Sequence, residues 1–128
     1  MLRTLCFILT ISSLSCAPND ANVQKKLSPD AFESMLKSDT TVQLVDVRTP
    51  GEFQSGYIAG AKLINIQDAD FSKKISQLDK NRPVLVYCAV GGRSANAAGQ
   101  LFQLGFTNVY DLKGGMTAWK EKEKPIMR

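Results

Sequence analysis

The sequence predicts an α/β fold with a largely parallel central sheet that is flanked by helices on both faces. Short apolar runs rich in β-branched residues, at 42–47 and 83–87, are typical of strands that are buried on both faces. Segments with apolar residues at helical spacing separate and follow these runs. Because strands that alternate with helices usually form parallel βαβ units, a sheet covered on both sides follows. A chain of 128 residues suffices for one such domain.

Two helix starts are marked in the first half of the domain. Ser28 followed by Pro29 has the layout of an N-cap with proline at the first helical position. Thr49 followed three residues later by Glu52 has the layout of a capping box. The sequence therefore predicts a helix after Ser28 and a short helix after Thr49 that ends near Gly56.

The middle of the chain repeats the alternation of strand and helix. Residues 62–66 predict a second strand, and Asp68 and Asp70 precede apolar residues at helical spacing up to Leu78. The run at 83–87 then predicts the next strand, because it is apolar throughout and begins at a proline.

The last third of the chain completes the pattern. A helical spacing begins at Ser94 and ends before Gly105, a residue type favoured just after a helix. Residues 108–112 predict a short strand, and residues 116–122 predict a final helix with Trp119 on its inner face.

A glycine-rich loop lies between the strand at 83–87 and the helix that follows. It consists of Cys88, Ala89, Val90, Gly91, Gly92, Arg93 and Ser94. A strand, a tight turn and a helix place the Cys88 sulfur at the carboxyl edge of the sheet, facing free N–H groups and a helix N-terminus. Such a concave set of donors favours an anion. Ser94 is expected to be the N-cap or a first-turn residue of the helix rather than a catalytic group.

The first 26 residues predict export rather than part of the fold. Residues 1–17 have the layout of a secretory signal, and the residues up to Cys16 resemble the end of a bacterial lipoprotein signal. Cleavage before Cys16 would lead to lipidation there, whereas cleavage after Ala17 would release a soluble protein. The favoured expectation is a domain at 27–128 in the bacterial envelope or periplasm, held by a lipid on Cys16 through a flexible tether at 18–26.

Cysteine and histidine usage narrows the chemistry. Of three cysteines, Cys6 leaves with the signal and Cys16 is lipidated or removed, so Cys88 is the only free thiol of the mature domain. The chain has no histidine, which excludes a cysteine–histidine pair, and neither a metal nor an organic cofactor is expected. The net charge of +4 comes from scattered lysines, which argues against a nucleic-acid partner and modestly favours an anionic substrate.

Four landmarks occur in an order and spacing similar to those of single-domain members of the rhodanese (sulfurtransferase) family. They are Asp46-Val47-Arg48 with Glu52-Phe53, Gly56-Tyr57-Ile58-Ala59-Gly60-Ala61 with Asn65-Ile66, the loop at 88–94, and Gly114-Gly115 with Trp119. The resemblance covers about residues 27–124. Two positions depart from the pattern: Tyr57 stands where many members have histidine, and Gln67 stands where proline is common.

The resemblance implies a sulfurtransferase with Cys88 as nucleophile. Its thiolate would take the outer sulfur of an anionic donor such as thiosulfate and hold it as a persulfide. Cyanide would be a laboratory acceptor of this sulfur. The physiological acceptor would be a thiol, for which a thioredoxin-like protein is one candidate. The substrate-binding loop would be Ala89, Val90, Gly91, Gly92, Arg93 and Ser94. Activation of Cys88 must then come from loop N–H groups and the helix N-terminus, with Arg93 as a further candidate.

Two other classes use a similar site. One is a persulfide carrier or redox-partner module with little turnover, which needs the same cysteine. The other is a cysteine-dependent phosphatase or arsenate reductase, whose loops have one residue more between cysteine and arginine than the four found between Cys88 and Arg93. The shorter loop favours sulfur transfer.

The charged residues near these motifs have open roles. Arg93 either contacts the anionic donor or ties the loop to a neighbouring acid. Asp46, Arg48 and Glu52 suggest a charged site, but a structural ion pair between Arg48 and Glu52 is the favoured interpretation.

Overall fold

A computed structural model of the protein describes residues 25–128. The expected signal at 1–17, lipidation at Cys16 and the first part of the tether lie outside the described residues. Within residues 25–128, none of the helices has both the length and the apolar character needed to cross a membrane.

Five strands and five helices make up the described part of the chain. The strands form one parallel sheet in the order β1-β5-β4-β2-β3. In chain order the elements are β1 (Lys25–Leu27), α1 (Pro29–Ser38), β2 (Gln43–Asp46), α2 (Pro50–Gln54), β3 (Lys62–Leu63), α3 (Phe71–Ser76), β4 (Val84–Tyr87), α4 (Gly92–Gln103), β5 (Val109–Leu112) and α5 (Gly115–Glu121). The predicted α/β fold with a parallel sheet is confirmed.

Two apolar clusters cover the two faces of the sheet. Helices α3 and α4 pack on one face, where Ile75 and Leu101 are buried, and α1 and α5 pack on the other, where Phe32 and Trp119 are buried. Side chains of β4 alternate between these clusters, so every residue of the strand is buried. This explains why its sequence is continuously apolar.

The helix starts predicted at Ser28 and Thr49 are present with their side-chain bonds, whereas Asp70, the N-cap of α3, makes no side-chain capping bond. The Ser28 hydroxyl accepts a hydrogen bond from the N–H of Ala31 at 3.2 Å. Thr49 Oγ1 accepts from the N–H of Glu52, and Glu52 Oε2 accepts from the N–H of Thr49 at 3.0 Å, which completes the capping box. The strand at residues 108–112 and the buried Trp119 are also as predicted.

Several boundaries differ from the sequence-based expectation, among them the end of α3, which lies at Ser76 rather than near Leu78. Strand β1 takes in Lys25 and Lys26, which were expected to belong to the tether, because the backbone of this segment pairs with β5. Helix α4 begins at Gly92 rather than Ser94, since the loop turns directly into it. Strand β3 covers only Lys62–Leu63, because the chain beyond it leaves the regular ladder.

The expected ion pair between Arg48 and Glu52 is wrong. Arg48 pairs with Asp46 instead: Nη2 donates to Asp46 Oδ2 at 2.7 Å and Nε donates to Oδ1 at 3.0 Å. Nη2 also donates to the carbonyl of Gly56 at 2.7 Å. Both side chains are buried. Because Asp46 lies only two residues before Arg48 at the end of β2, its carboxylate is the one that Arg48 reaches. The pair therefore fixes the segment after α2 to the end of β2.

Candidate active site

Cys88 directly follows β4, the central strand of the sheet. The chain turns at Gly91, which has a φ of +122° and serves as N-cap of α4. Glycine suits this turn because a Cβ would be strained at that φ. The sulfur of Cys88 therefore lies at the carboxyl edge of the sheet and faces the first turn of α4, as the sequence predicts.

The Cys88 sulfur is held by donors from the loop and from α4. The N–H of Gly91 donates to Sγ at 3.0 Å. The hydroxyl of Ser94 lies 3.3 Å from Sγ and 3.2 Å from the carbonyl of Gly91, so it can donate to either acceptor. Ser94 is thus a first-turn residue of α4, as expected, and it also contacts the sulfur. We call this set of donors around Sγ the cradle.

The cradle favours the thiolate form of Cys88. Burial alone raises the pKa of this thiol, because the charged form loses hydration. The Ser94 hydroxyl and the backbone N–H groups of Ser94, Gly91 and Val90 act in the opposite direction and outweigh burial, so the pKa lies below its ordinary value. Activation therefore proceeds without a histidine, of which the chain has none.

Ser94→Ala should shift the pH profile of any reaction that uses the Cys88 thiolate. Loss of the hydroxyl removes a donor that lowers the pKa, so the pKa of the thiol rises. The fraction of thiolate then falls most at pH values between the wild-type pKa and the raised one, and it recovers above the raised pKa. Alkylation of Cys88 by iodoacetamide across a pH series measures this.

Ser76→Ala is the matched control for Ser94→Ala. The Ser76 hydroxyl is exposed and donates to the carbonyl of Lys73 on α3. The control should leave the alkylation profile in place. An unchanged profile in Ser94→Ala would show that the hydroxyl does not influence the sulfur.

The first turn of α5 donates two backbone hydrogen bonds to the loop. The N–H of Met116 donates to the carbonyl of Cys88 at 2.9 Å, and the N–H of Thr117 donates to the carbonyl of Ala89 at 3.1 Å. This contact requires glycine at position 115, where an added Cβ would lie 2.5 Å from the Cys88 oxygen. Gly114-Gly115 is one of the landmarks of the resemblance, but nothing local to the sequence indicates this contact.

Arg93 ties the loop to an acid on α2. Its Nη1 donates to Glu52 Oε2 at 2.8 Å and its Nη2 donates to Oε1 at 2.7 Å, a bidentate ion pair. Of the two roles left open for Arg93, the structure shows the tie. Sequence reasoning identified Glu52 through the capping box but missed this partner, which lies 41 residues away in the chain.

Tyr57, one of the two departures from the pattern noted in the sequence, lies beside α2. Its ring stacks on Phe53 with a centroid distance of 4.1 Å. Its backbone pairs with Met127, with N–H to carbonyl distances of 3.0 and 2.8 Å. These contacts join α2 to the last residues of the chain.

Two cavities of the described structure lie away from the loop. One of about 310 Å³ borders β2 and β3, with Gln43 and Lys62 in its wall. Another of about 160 Å³ lies between α1 and Trp119. No residue of the loop at 88–94 lines either cavity. Val90 is 69% exposed, so the loop itself faces solvent beside the buried sulfur.

Comparisons with known proteins agree with the fold. Residues 28–122 match the sequence profile described as rhodanese-like domain. The thiosulfate sulfurtransferase GlpE of Shewanella oneidensis is 39% identical over 97 residues, which covers 76% of this chain and 93% of that protein. A sulfurtransferase of Allochromatium vinosum is 32% identical over 102 residues, covering 80% of this chain and 94% of that protein.

A solved structure of a rhodanese-related protein has the same fold as this chain. The rhodanese-related protein from Thermoplasma volcanium superposes with a TM-score of 0.71 at 30% identity, covering 80% of this chain and 97% of that one. The relatives named as sulfurtransferases support a sulfurtransferase activity for this chain. On its sequence match and its fold, the chain belongs to the rhodanese-like domain family.

Proposed function

We propose that this protein transfers a sulfane sulfur from an anionic donor such as thiosulfate to a thiol acceptor through a persulfide on Cys88. One observation carries the proposal: the Cys88 sulfur lies in a cradle of N–H and O–H donors that lowers its pKa and suits an anionic sulfur. The names of the relatives agree with this activity.

The first half of the reaction loads the sulfur. The Cys88 thiolate attacks the outer sulfur of thiosulfate, a new S–S bond forms, and the bond to the inner sulfur breaks with its electron pair leaving on sulfite. Charge balances, because a thiolate and a dianion become a persulfide anion and a sulfite dianion. The negative charge of the persulfide lies on its outer sulfur, one S–S bond beyond Sγ, and we propose that N–H groups of the same loop stabilise it there.

The second half unloads the sulfur. An acceptor thiolate, which we propose to be carried by a thioredoxin-like protein, attacks the outer sulfur of the persulfide and takes it, so the Cys88 thiolate returns. Cyanide can replace the thiol and leaves as thiocyanate. Because the thiolate is regenerated, turnover requires no cofactor. Repeated release of thiocyanate separates this enzyme from a carrier that is discharged only once.

Loop length separates sulfur transfer from phosphate chemistry. Four residues lie between Cys88 and Arg93, and Arg93 is held by Glu52. A cysteine phosphatase needs a wider loop and an arginine directed at the oxyanion. Thiosulfate:cyanide turnover should therefore exceed hydrolysis of p-nitrophenyl phosphate by the same preparation. A phosphatase rate above the sulfur-transfer rate would overturn the proposal.

We further propose that the protein is held at a bacterial membrane by a lipid on Cys16. The support is the layout of residues 1–17 and the polar segment that follows them. Cys16→Ala should move the protein from the membrane fraction to the soluble fraction, with Cys6→Ser as a control that stays at the membrane. Unchanged membrane association of Cys16→Ala would contradict lipidation at this position.

A further inference from the structure

Four charged side chains near the loop, carried by the segment at the end of β2, by α2 and by α4, form two ion pairs. Asp46 and Arg48 form the buried pair. Glu52 and Arg93 form a second pair whose side chains are about one-third exposed. Both arginines near the loop are therefore matched by a carboxylate. The electrostatic potential at the cradle therefore depends on how closely each carboxylate stays paired with its arginine.

Glu52 is held more tightly than an ordinary surface carboxylate. Besides both terminal nitrogens of Arg93, its Oε2 accepts from the N–H of Thr49 at 3.0 Å and from Thr49 Oγ1 at 2.9 Å. These bonds tie it to the first turn of α2. The hydrogen bonds from Arg93 lower the pKa of Glu52 to about 2 despite partial burial, with Thr49 adding to the effect. Glu52 therefore stays ionised at every pH used to assay a thiolate.

Arg93 is the second residue of α4, on the same turn that provides the cradle. An unpaired guanidinium at this position would attract anions to the sulfur. In the structure both of its terminal nitrogens point to Glu52. Its charge is thus offset by a carboxylate fixed to a different element of the fold.

We propose that Glu52 is a positioning residue that sets how strongly the cradle attracts anionic donors, by holding Arg93 in a fixed place and offsetting its charge. The inference rests on the proposed function, because it concerns the donor of that reaction. It assigns anion recognition to the N–H and O–H groups of the cradle and a tuning role to the ion pair.

Charge variants of the pair test this inference in opposite directions. Glu52→Gln keeps an oxygen for the Thr49 N–H but leaves Arg93 with an unmatched charge, so the KM for thiosulfate should fall about twofold to fivefold. Arg93→Gln leaves Glu52 unmatched, so KM should rise by a similar factor. The double variant has neither charge and should return close to the wild-type KM.

Alkylation of Cys88 gives a readout that does not need turnover. Iodoacetate is anionic and iodoacetamide is neutral, so the ratio of their rates at Cys88 in the full chain reports the local electrostatic potential. The ratio, read on the Cys88 peptide by mass spectrometry, should rise in Glu52→Gln, fall in Arg93→Gln and return in the double variant. Glu33→Gln removes the same charge from a carboxylate that pairs with Lys124, and it should leave the ratio unchanged.

The outcomes separate this inference from the proposed function. If the pair served only to brace the loop, both single variants and the double variant would lower kcat, and the alkylation ratio would stay unchanged or move in the same direction in all three, which would overturn the inference. Opposite shifts that cancel in the double variant support it. A wild-type protein without thiosulfate turnover but with the cancelling pattern of ratios would refute the proposed function and leave the electrostatic role of Glu52 standing.

Discussion

Cys88→Ser is expected to abolish thiosulfate:cyanide sulfur transfer while the fold remains intact. Serine forms no persulfide, and its hydroxyl has too high a pKa to act as the nucleophile without a general base, so turnover should fall at least ~1,000-fold. The measurement is thiocyanate formation by purified protein.

The contacts around Cys88 suggest that the serine variant folds. The smaller hydroxyl can still accept from the N–H of Gly91 and meet the hydroxyl of Ser94. The free energy of unfolding should therefore change by no more than about 2 kcal/mol in a urea titration. Ser76→Ala, which changes an exposed hydroxyl on α3, is the control and should keep full turnover. Retained turnover in Cys88→Ser would refute the mechanism.

Gly115→Ala is expected to lower the stability of the protein more than Gly60→Ala or Gly99→Ala does. Gly115 has a φ of +57°, and its added Cβ would lie 2.5 Å from the carbonyl oxygen of Cys88 and 2.6 Å from that of Ala89. Left-handed strain and displacement of backbone atoms together should lower the free energy of unfolding by about 2–4 kcal/mol. Sulfur transfer should fall as well, because these carbonyls belong to the loop that carries the sulfur.

Two other glycines separate strain from contact. Gly60→Ala places a side chain at a φ of +85° with no heavy atom within 4 Å of the new Cβ, so only the strain of about 1–2 kcal/mol applies. Gly99→Ala lies in α4, also with nothing within 4 Å, and should stabilise the protein by up to ~1 kcal/mol. Urea titrations should rank the unfolding free energies Gly99→Ala, Gly60→Ala, Gly115→Ala. Equal losses in the last two would show that the contact below the loop is unimportant.

The features predicted from sequence are those determined by neighbouring residues. The caps at Ser28 and Thr49 depend on groups within three positions, and both form. The end of α4 is another example: Gly105 adopts a φ of +93°, its N–H donates to Phe102, and the N–H of Phe106 donates to Leu101, the Schellman arrangement that a glycine at this point favours.

The features that sequence could not give depend on distant partners. Strand β1 contains Lys25 and Lys26, which show no apolar alternation, and it exists because its backbone pairs with β5. The sequence leaves two partners for Arg93, an anionic donor or a neighbouring acid, because the loop residues do not determine which element of the fold lies beside them. The support of the loop by Gly115 likewise depends on how α5 meets β4 at the edge of the sheet.

The central claim is that Cys88 carries the transferred sulfur, and intact mass after incubation with thiosulfate tests it most directly. The wild-type protein should gain one sulfur atom, and cyanide should remove it with release of thiocyanate. The gain should be absent in Cys88→Ser. A wild-type protein that turns over thiosulfate without any mass gain, or a Cys88→Ser variant that gains the same mass, would contradict a persulfide on Cys88.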